Sequence, residues 1–382
     1  MYTRVLSTKI VKQLESSKCV TLIGPRQSGK TTLCKEVFGD YEYFTFESPD
    51  VVDIFDSDPR GFLKNISGNA IFDEVQKTPQ LLSYLQEILD DKKDQRKFIL
   101  TGSNNLKLSK NISQTLAGRT MIFQLLPFQR EEIPKKYQRK TMDETLFYGS
   151  YPRIYDEKLN PTDWLGSYFQ TYVEKDVRDT INITNLRQFN QYIRLLAGRV
   201  GQVMSFSSLG NDAGITQPTA KNWFSALETT YICFRLEPHF RNFNKRITKA
   251  PKIYFYDTGL LCYLLRIKNP EQLKYHPLKG QIFENWVVAE YMKYFYNQGS
   301  EAPLYFWRDQ HGHEVDLVID EGSHLDLIEI KSGQTFQKDF LKNIKWLNKL
   351  QDRTQATCIY GGNKIIEIHD ITVKPWDSLF VK

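Results

Sequence analysis

Apolar residues in the first third of the chain come in short unbroken runs: CVTLIG over 19–24, YFTFE over 43–47, AIFDEV over 70–75, KFILTGS over 97–103 and TMIFQLLPF over 120–128. Stretches of helical period separate them, one starting at Lys30 and another, LLSYLQEILDD, over 81–91. A strand without polar alternation is buried on both faces, so the pattern predicts a parallel sheet sandwiched between helices. The charged break KKYQRK (135–140) closes this block. A mainly helical block follows to about 265, and helices and strands mix again from roughly 275 to the end. The expected units are 1–135, 136–265 and 266–382. There is no repeat of solenoid period and no low-complexity tract. The tetrapeptide LAGR occurs at 116–119 and 196–199, a coincidence at that length.

Composition narrows the picture a little. With 382 residues, 41% hydrophobic and 25% charged, the chain exceeds one ordinary core and reads as a globular protein of two or three domains. It has no apolar run long enough to span a bilayer and no apolar core of a signal peptide, so the expectation is a cytoplasmic protein without a membrane partner. Five cysteines lack CxxC spacing and sit in apolar segments, which predicts buried thiols rather than disulfides or zinc ligands. A net charge of +6 is compatible with a polyanionic partner and by itself says little more.

The chemistry is concentrated in Gly24-Pro25-Arg26-Gln27-Ser28-Gly29-Lys30-Thr31-Thr32. It fits G-x-x-x-x-G-K-[ST] and lies between a predicted strand and a predicted helix, the context a phosphate-binding loop requires. The glycines let backbone N–H groups face phosphates, and the helix start adds positive partial charge. Lys30 is expected at the β- and γ-phosphates of ATP and Thr31 at Mg²⁺. Asp73 and Glu74 end the AIFD strand, Asp73 to hold Mg²⁺ through water and Glu74 to polarise the attacking water. The next strand ends in Thr101-Gly-Ser103-Asn104, where Ser103 or Asn104 is placed to orient that water, or to cap the following helix. Arg119 is either a finger to a neighbouring subunit's phosphate, implying a homo-oligomer, or the partner of a carboxylate.

GPRQSGKTTL, FDEVQK, ILTGSN, LAGR followed by LLPF, and GSYPR (149–153) together resemble the AAA-type ATPases of bacteria and archaea that carry a C-terminal domain of unknown function. YVEKDVRD (172–179), PKIYFYDTGLL (251–261), GQIFENWVVAE (280–290) and the 313–333 stretch extend the resemblance over nearly the whole chain. It implies an α/β architecture: an AAA/RecA-like P-loop sheet domain, a helical winged-helix middle and an α/β PD-(D/E)xK nuclease-like tail. It marks Arg119 as a trans-acting or sensor residue. The family commonly carries RD in the helix of the second block; this chain has Lys175-Asp176 and then Arg178-Asp179, which leaves Arg178 without an assigned role.

In the middle block, 205–240 has the rhythm of a winged helix-turn-helix: helix-cap serines from Ser205, a turn at Gly214, and a second helix from about Pro218 with Trp223 and Leu227 inside. Its outer face offers Gln217, Thr219, Lys221 and Asn222 to phosphates or base edges. Between 235 and 252 lie Arg235, Arg241, Lys245, Arg246, Lys249 and Lys252 against one acid, Glu237, with Phe240 and Phe243 among them. Such a strip should attract a phosphate backbone with strong salt dependence; the alternative is a protein-interaction module with a solvated hairpin.

HEVDLVIDEGSHLDLIEIKSG (313–333) reads as two strands, with Asp316 on the first and Glu329 and Lys331 on one face of the second. With Glu284 on the preceding amphipathic helix, the order matches a PD-(D/E)xK metal site, in which carboxylates hold Mg²⁺ and the Lys polarises water. The same residues can also pair internally. His311 and His313 read as loop residues, with a phosphate contact open to them. The leading expectation is a Mg²⁺-dependent ATPase that binds DNA, branched DNA included, and remodels or moves along it. The alternatives are an ATP-regulated metal-dependent endonuclease and a nucleotide-dependent protein-interaction switch.

Overall fold

The computed structural model describes residues 3–103, 115–173, 183, 185–239, 250–309, 311–350 and 353–380. Asn104, the Lys175–Asp179 segment with Arg178, and the basic residues Arg241, Lys245, Arg246 and Lys249 lie outside that set.

Five apolar runs become β1 (Cys19–Ile23), β2 (Glu42–Thr45), β3 (Ala70–Asp73), β4 (Phe98–Gly102) and β5 (Met121–Gln124). They form one parallel sheet in the order β2-β3-β4-β1-β5. β1, β3 and β4 are buried along their full length, as strands covered on both faces must be. Because the strands all run parallel, the loop after β1, the acids ending β3 and the end of β4 open on one sheet edge, with β4 between the other two. Ligands of open parallel sheets bind at that edge.

The described residues of 185–239 and 250–255 build three helices, Leu186–Ala197, Phe206–Ala213 and Gln217–Thr229, then an antiparallel pair of β6 (Cys233–Pro238) and β7 (Lys252–Phe255), the two strands of a hairpin. Local chemistry sets the boundaries. The side chains of Asn185, Ser205 and Thr216 each accept a backbone N–H at the start of their helix, and Gly214 ends the second at φ 68°. An isolated antiparallel bridge joins Val203 to Lys252.

The hairpin does not stand apart. β6 pairs in parallel with β8 (Leu304–Arg308) through Glu237↔Tyr305 and Pro238↔Phe306, which makes β6 and β7 the last two strands of an eight-stranded sheet. The others are β9 (Glu314–Asp320), β10 (Leu325–Lys331), β11 (Thr354–Tyr360), β12 (Ile366–Ile368) and β13 (Ile371–Pro375), in the order β12-β13-β11-β10-β9-β8-β6-β7. A single apolar core runs from Leu126 through the three helices to Trp376 and Leu379. The helix Lys279–Asn297 lies in it, burying Ile282, Phe283, Trp286, Val287 and Val288.

All five cysteines are free and buried. Among the described residues, no helix is long and apolar enough to cross a membrane.

Candidate functional sites: a nucleotide cavity and a carboxylate cluster

The loop after β1 is shaped by backbone conformations that few residue types tolerate. Gly29 takes φ 93° and Gln27 φ 63°, and such alternation turns successive N–H groups toward one concavity. Gly24 is fixed by close approach, since a Cβ there would lie 2.2 Å from the Leu125 carbonyl oxygen. Lys30 Nζ donates to the carbonyls of Gly24 (2.9 Å) and Pro25 (2.8 Å). Burial lowers the pKa of this ammonium, and the carboxylates of Glu74 and Asp73 work against that shift.

Asp73 accepts from Thr31 Oγ1 at 2.9 Å and from the Tyr43 hydroxyl at 2.6 Å, and its other oxygen accepts from Thr101. Burial, and then the bond to Asp73, push the Tyr43 hydroxyl pKa up, so Tyr43 stays a donor. Glu74 stands at φ 58°, in the left-handed region, just past the end of β3. There Ser103 Oγ donates to it at 2.9 Å, and Gln76 Nε2 donates to it and, at 3.3 Å, to Ser103 Oγ. Of the two candidates at the end of β4, Ser103 is therefore in contact with the Glu74 carboxylate.

A cavity of about 640 Å³ opens over this loop. It is lined by Arg26, Gln27, Gly29, Lys30, Thr31, Thr32 and Glu74, and on the opposite wall by Pro152, Arg153 and Asp156. That wall is a short helix, Pro152–Asp156, from the second block. Arg119 does not line the cavity. It makes an exposed bidentate pair with Asp90, at 2.7 and 2.9 Å, the carboxylate partnership left open as its alternative.

Arg4 has no motif around it, yet it braces the loop. Only 6% exposed, it donates to the Ser28 carbonyl (2.7 Å), the Leu126 carbonyl (2.7 Å) and the Glu132 carboxylate (3.0 Å), with its guanidinium 5.0 Å from the Phe128 ring centre. A second buried network continues toward the tail. Lys293 Nζ donates to the Phe128 carbonyl, Ser150 Oγ and Glu290 Oε1 at 3.0, 3.0 and 2.8 Å, and Asn297 Nδ2 donates to Gln129 Oε1 at 3.0 Å.

In the tail, Glu284, Asp316, Glu329 and Lys331 come together, but as ion pairs. Lys331 Nζ lies 2.6 Å from Glu329 and 3.2 Å from Asp316. Asp316 also accepts from the Ile330 amide at 2.8 Å. Burial and then the adjacent Asp316 carboxylate raise the Glu329 pKa to about 8, against the pull of Lys331. Lys252 joins the cluster from β7, 3.0 Å from Glu284 and 2.5 Å from Glu314. Among the described residues, no three or more His, Cys, Asp or Glu side chains are arranged to hold a metal ion. His313 pairs with Asp309 (2.8 Å) and stacks on Trp346.

Two basic residues of 235–252 lie among the described residues, and both are engaged within the fold. Arg235 is held in a bidentate pair with Glu228, and Lys252 is 2% exposed inside the carboxylate cluster. Neither is free to attract a phosphate backbone. Lys221 and Asn222 are exposed on the outer face of Gln217–Thr229.

Residues 16–134 match the model of an AAA domain. The N-terminal unit is an AAA-type P-loop domain. Residues 139–271 and 279–379 match two further models, each described as a domain of unknown function (DUF8612 and DUF4143). An uncharacterized protein of Mycobacterium tuberculosis is 29% identical over 335 residues, covering 87% of this chain and 74% of the relative. One from Methanocaldococcus jannaschii is 22% identical over 359 residues, covering 86% and 77%. Among solved structures, a Walker-type ATPase of Pyrococcus abyssi is similar, with 14% identity and a TM-score of 0.46, over 68% of this chain and 94% of that one. The cavity of the AAA domain thus has one wall, Pro152–Asp156, that belongs to the neighbouring matched region.

Proposed function

We propose that the AAA domain hydrolyses ATP with Mg²⁺. The observation that carries this reading is the Glu74 carboxylate, clasped by Ser103 and Gln76 at the rim of the cavity that Lys30 and Thr31 line. The residues fit the ion, since the Thr31 hydroxyl and the Asp73 carboxylate stand 2.9 Å apart beside the phosphate-binding loop. Bound there, Mg²⁺ supplies charge neutralisation at the β- and γ-phosphates.

The chain's own groups do the rest. Loop amides and the Lys30 ammonium bind the phosphates. Glu74 accepts a proton from water as the water oxygen bonds to the γ-phosphorus, and ADP leaves with the bridging oxygen. Ser103 positions Glu74. Lys30→Ala should abolish tight nucleotide binding. Glu74→Gln should keep binding and lose about 10²–10⁴-fold in turnover, the range of general-base catalysis. Turnover by Glu74→Gln at the wild-type rate removes the assignment.

The proposal includes DNA as partner, branched DNA among the candidates, with hydrolysis driving remodelling or movement by a homo-oligomer. What supports it is the succession of three helices and a hairpin, the order of a winged helix, with Lys221 and Asn222 exposed on the third helix. ATP turnover measured with linear, single-stranded, junction and no DNA across salt tests it. Stimulation that weakens with salt is expected, and no stimulation by any DNA favours the protein-interaction switch.

A further inference from the structure

The carboxylate cluster of the tail has the residues of a divalent-metal site, and its cation positions are filled from within. Four carboxylates meet there, and they divide into two pairs. Asp316 and Glu329 share the Lys331 ammonium, and Glu284 and Glu314 share that of Lys252. Arg308 adds a contact to Glu314 at 3.4 Å. The Lys252 side chain is 2% exposed, and its ammonium also lies 5.5 Å from the Phe306 ring centre. An ammonium this deep is retained only where carboxylates neutralise it.

Glu284 is fixed from the same side. The Tyr254 hydroxyl donates to Glu284 Oε1 at 2.6 Å, and a Cβ on Gly201 would stand 3.4 Å from that oxygen. Lys252 and Tyr254 alternate on β7, so one face of one strand occupies the helix-borne glutamate with two donors. A divalent ion needs several oxygens converging on it at 2.0–2.6 Å. Here the Glu284 oxygen that faces the cluster is already bonded twice.

We propose that Lys252 is a resident cation that closes this cluster to divalent metal, so that the tail of this chain is not a metal-dependent nuclease. The ammonium comes from the hairpin of the second block, and the closure therefore also fastens that hairpin to the tail. The inference is independent of ATP hydrolysis.

The test is Mn²⁺ binding by the nucleotide-free full chain, followed by electron paramagnetic resonance of free Mn²⁺. Wild type and Glu284→Gln should give the same titration. Lys252→Met, which keeps the length and removes the charge, should bind an additional Mn²⁺ at least ten-fold more tightly than any wild-type site outside the AAA domain. Lys252→Met/Glu284→Gln should lose the gain, and Lys252→Arg should show none. Binding to wild type that Glu284→Gln weakens overturns the proposal, and so does a folded Lys252→Met with no added ion. Should Lys252→Met not fold by circular dichroism, the comparison of wild type with Glu284→Gln decides alone.

Discussion

Arg4 allows a sharp test of what holds the phosphate-binding loop. It is buried with Glu132, whose side chain is fully shielded from solvent, and it ties two backbone carbonyls, of Ser28 and Leu126, to that carboxylate. In Arg4→Met the Glu132 carboxylate keeps the amides of Val5 and Gln129, each at 2.9 Å, and loses its only full positive charge among the described contacts. Removing one partner of a buried pair costs about 3–5 kcal/mol, because the other charge stays in a low-dielectric site. For a cooperative unit the size of the AAA domain, about 4 °C per kcal/mol applies, so a fall in Tm of about 10–20 °C is expected. The assay is thermal unfolding by far-ultraviolet circular dichroism, run beside binding of a fluorescent ATP analogue. Affinity should fall too, since Ser28 loses its brace. Glu132→Gln in the Arg4→Met background removes the stranded charge, and the double variant should be more stable than the sum of the single losses by about 1–3 kcal/mol. A Tm within 2 °C of wild type, or strict additivity, refutes the reasoning.

Three further outcomes are expected. Ser103→Ala leaves Glu74 held by Gln76 alone and should lower kcat about five-fold, the worth of one hydrogen bond, with nucleotide affinity unchanged; a parallel loss of affinity would make Ser103 part of the binding surface. Arg119→Ala and Asp90→Ala break the same exposed pair, and neither should move Tm measurably. Turnover lost in Arg119→Ala alone supports the finger role, whereas equal turnover in both variants and wild type refutes it. Glu329 has a folded pKa raised to about 8 from an ordinary 4.5, so the folded chain holds its proton more tightly. Its contribution is fully present below the ordinary value and is lost as pH rises through about 8. Wild-type Tm should therefore fall relative to Glu329→Gln across that window, and a rise instead would reverse the assignment.

The loop and acids that form the candidate nucleotide site were legible because their information is local. A strand, a glycine loop and a helix start are contiguous in sequence, and the acids after AIFD belong to an equally recognisable strand end. Its brace was not. Arg4 sits in an N-terminal hexapeptide with no periodicity, and its partners lie 24 to 128 residues away. The Pro152–Asp156 wall was visible only as part of GSYPR, without its position. Lys252 misled for a different reason. It closes a run of basic residues, and charge counting cannot tell the last surface lysine from the first residue of a buried strand. The signal available was its place at the head of KIYF, where every residue is buried. The Phe206–Ala213 and Gln217–Thr229 helices of the middle block were readable from the Ser205 cap, the Gly214 turn and apolar spacing, and the Leu186–Ala197 helix was not singled out. The β6–β8 pairing was not, because two residue pairs joined across some 70 positions leave no periodic trace.

That short pairing bears on how the chain can be divided and inherited. The two regions of unknown function meet near residue 275 in sequence, but β6 of the first is a neighbour of β8 of the second, and His239 follows, its backbone N–H donating to the Phe306 carbonyl and its ring hydrogen-bonded to Asp320. A chain ending at 271 would carry a raw strand edge at Glu237–Pro238, a stranded Lys252, and a core stripped of the Lys279–Asn297 helix, the conditions for aggregation. Gene fusion or exchange at the seam would hand one recipient two strands of the sheet and the other six. The two regions share one sheet and one core.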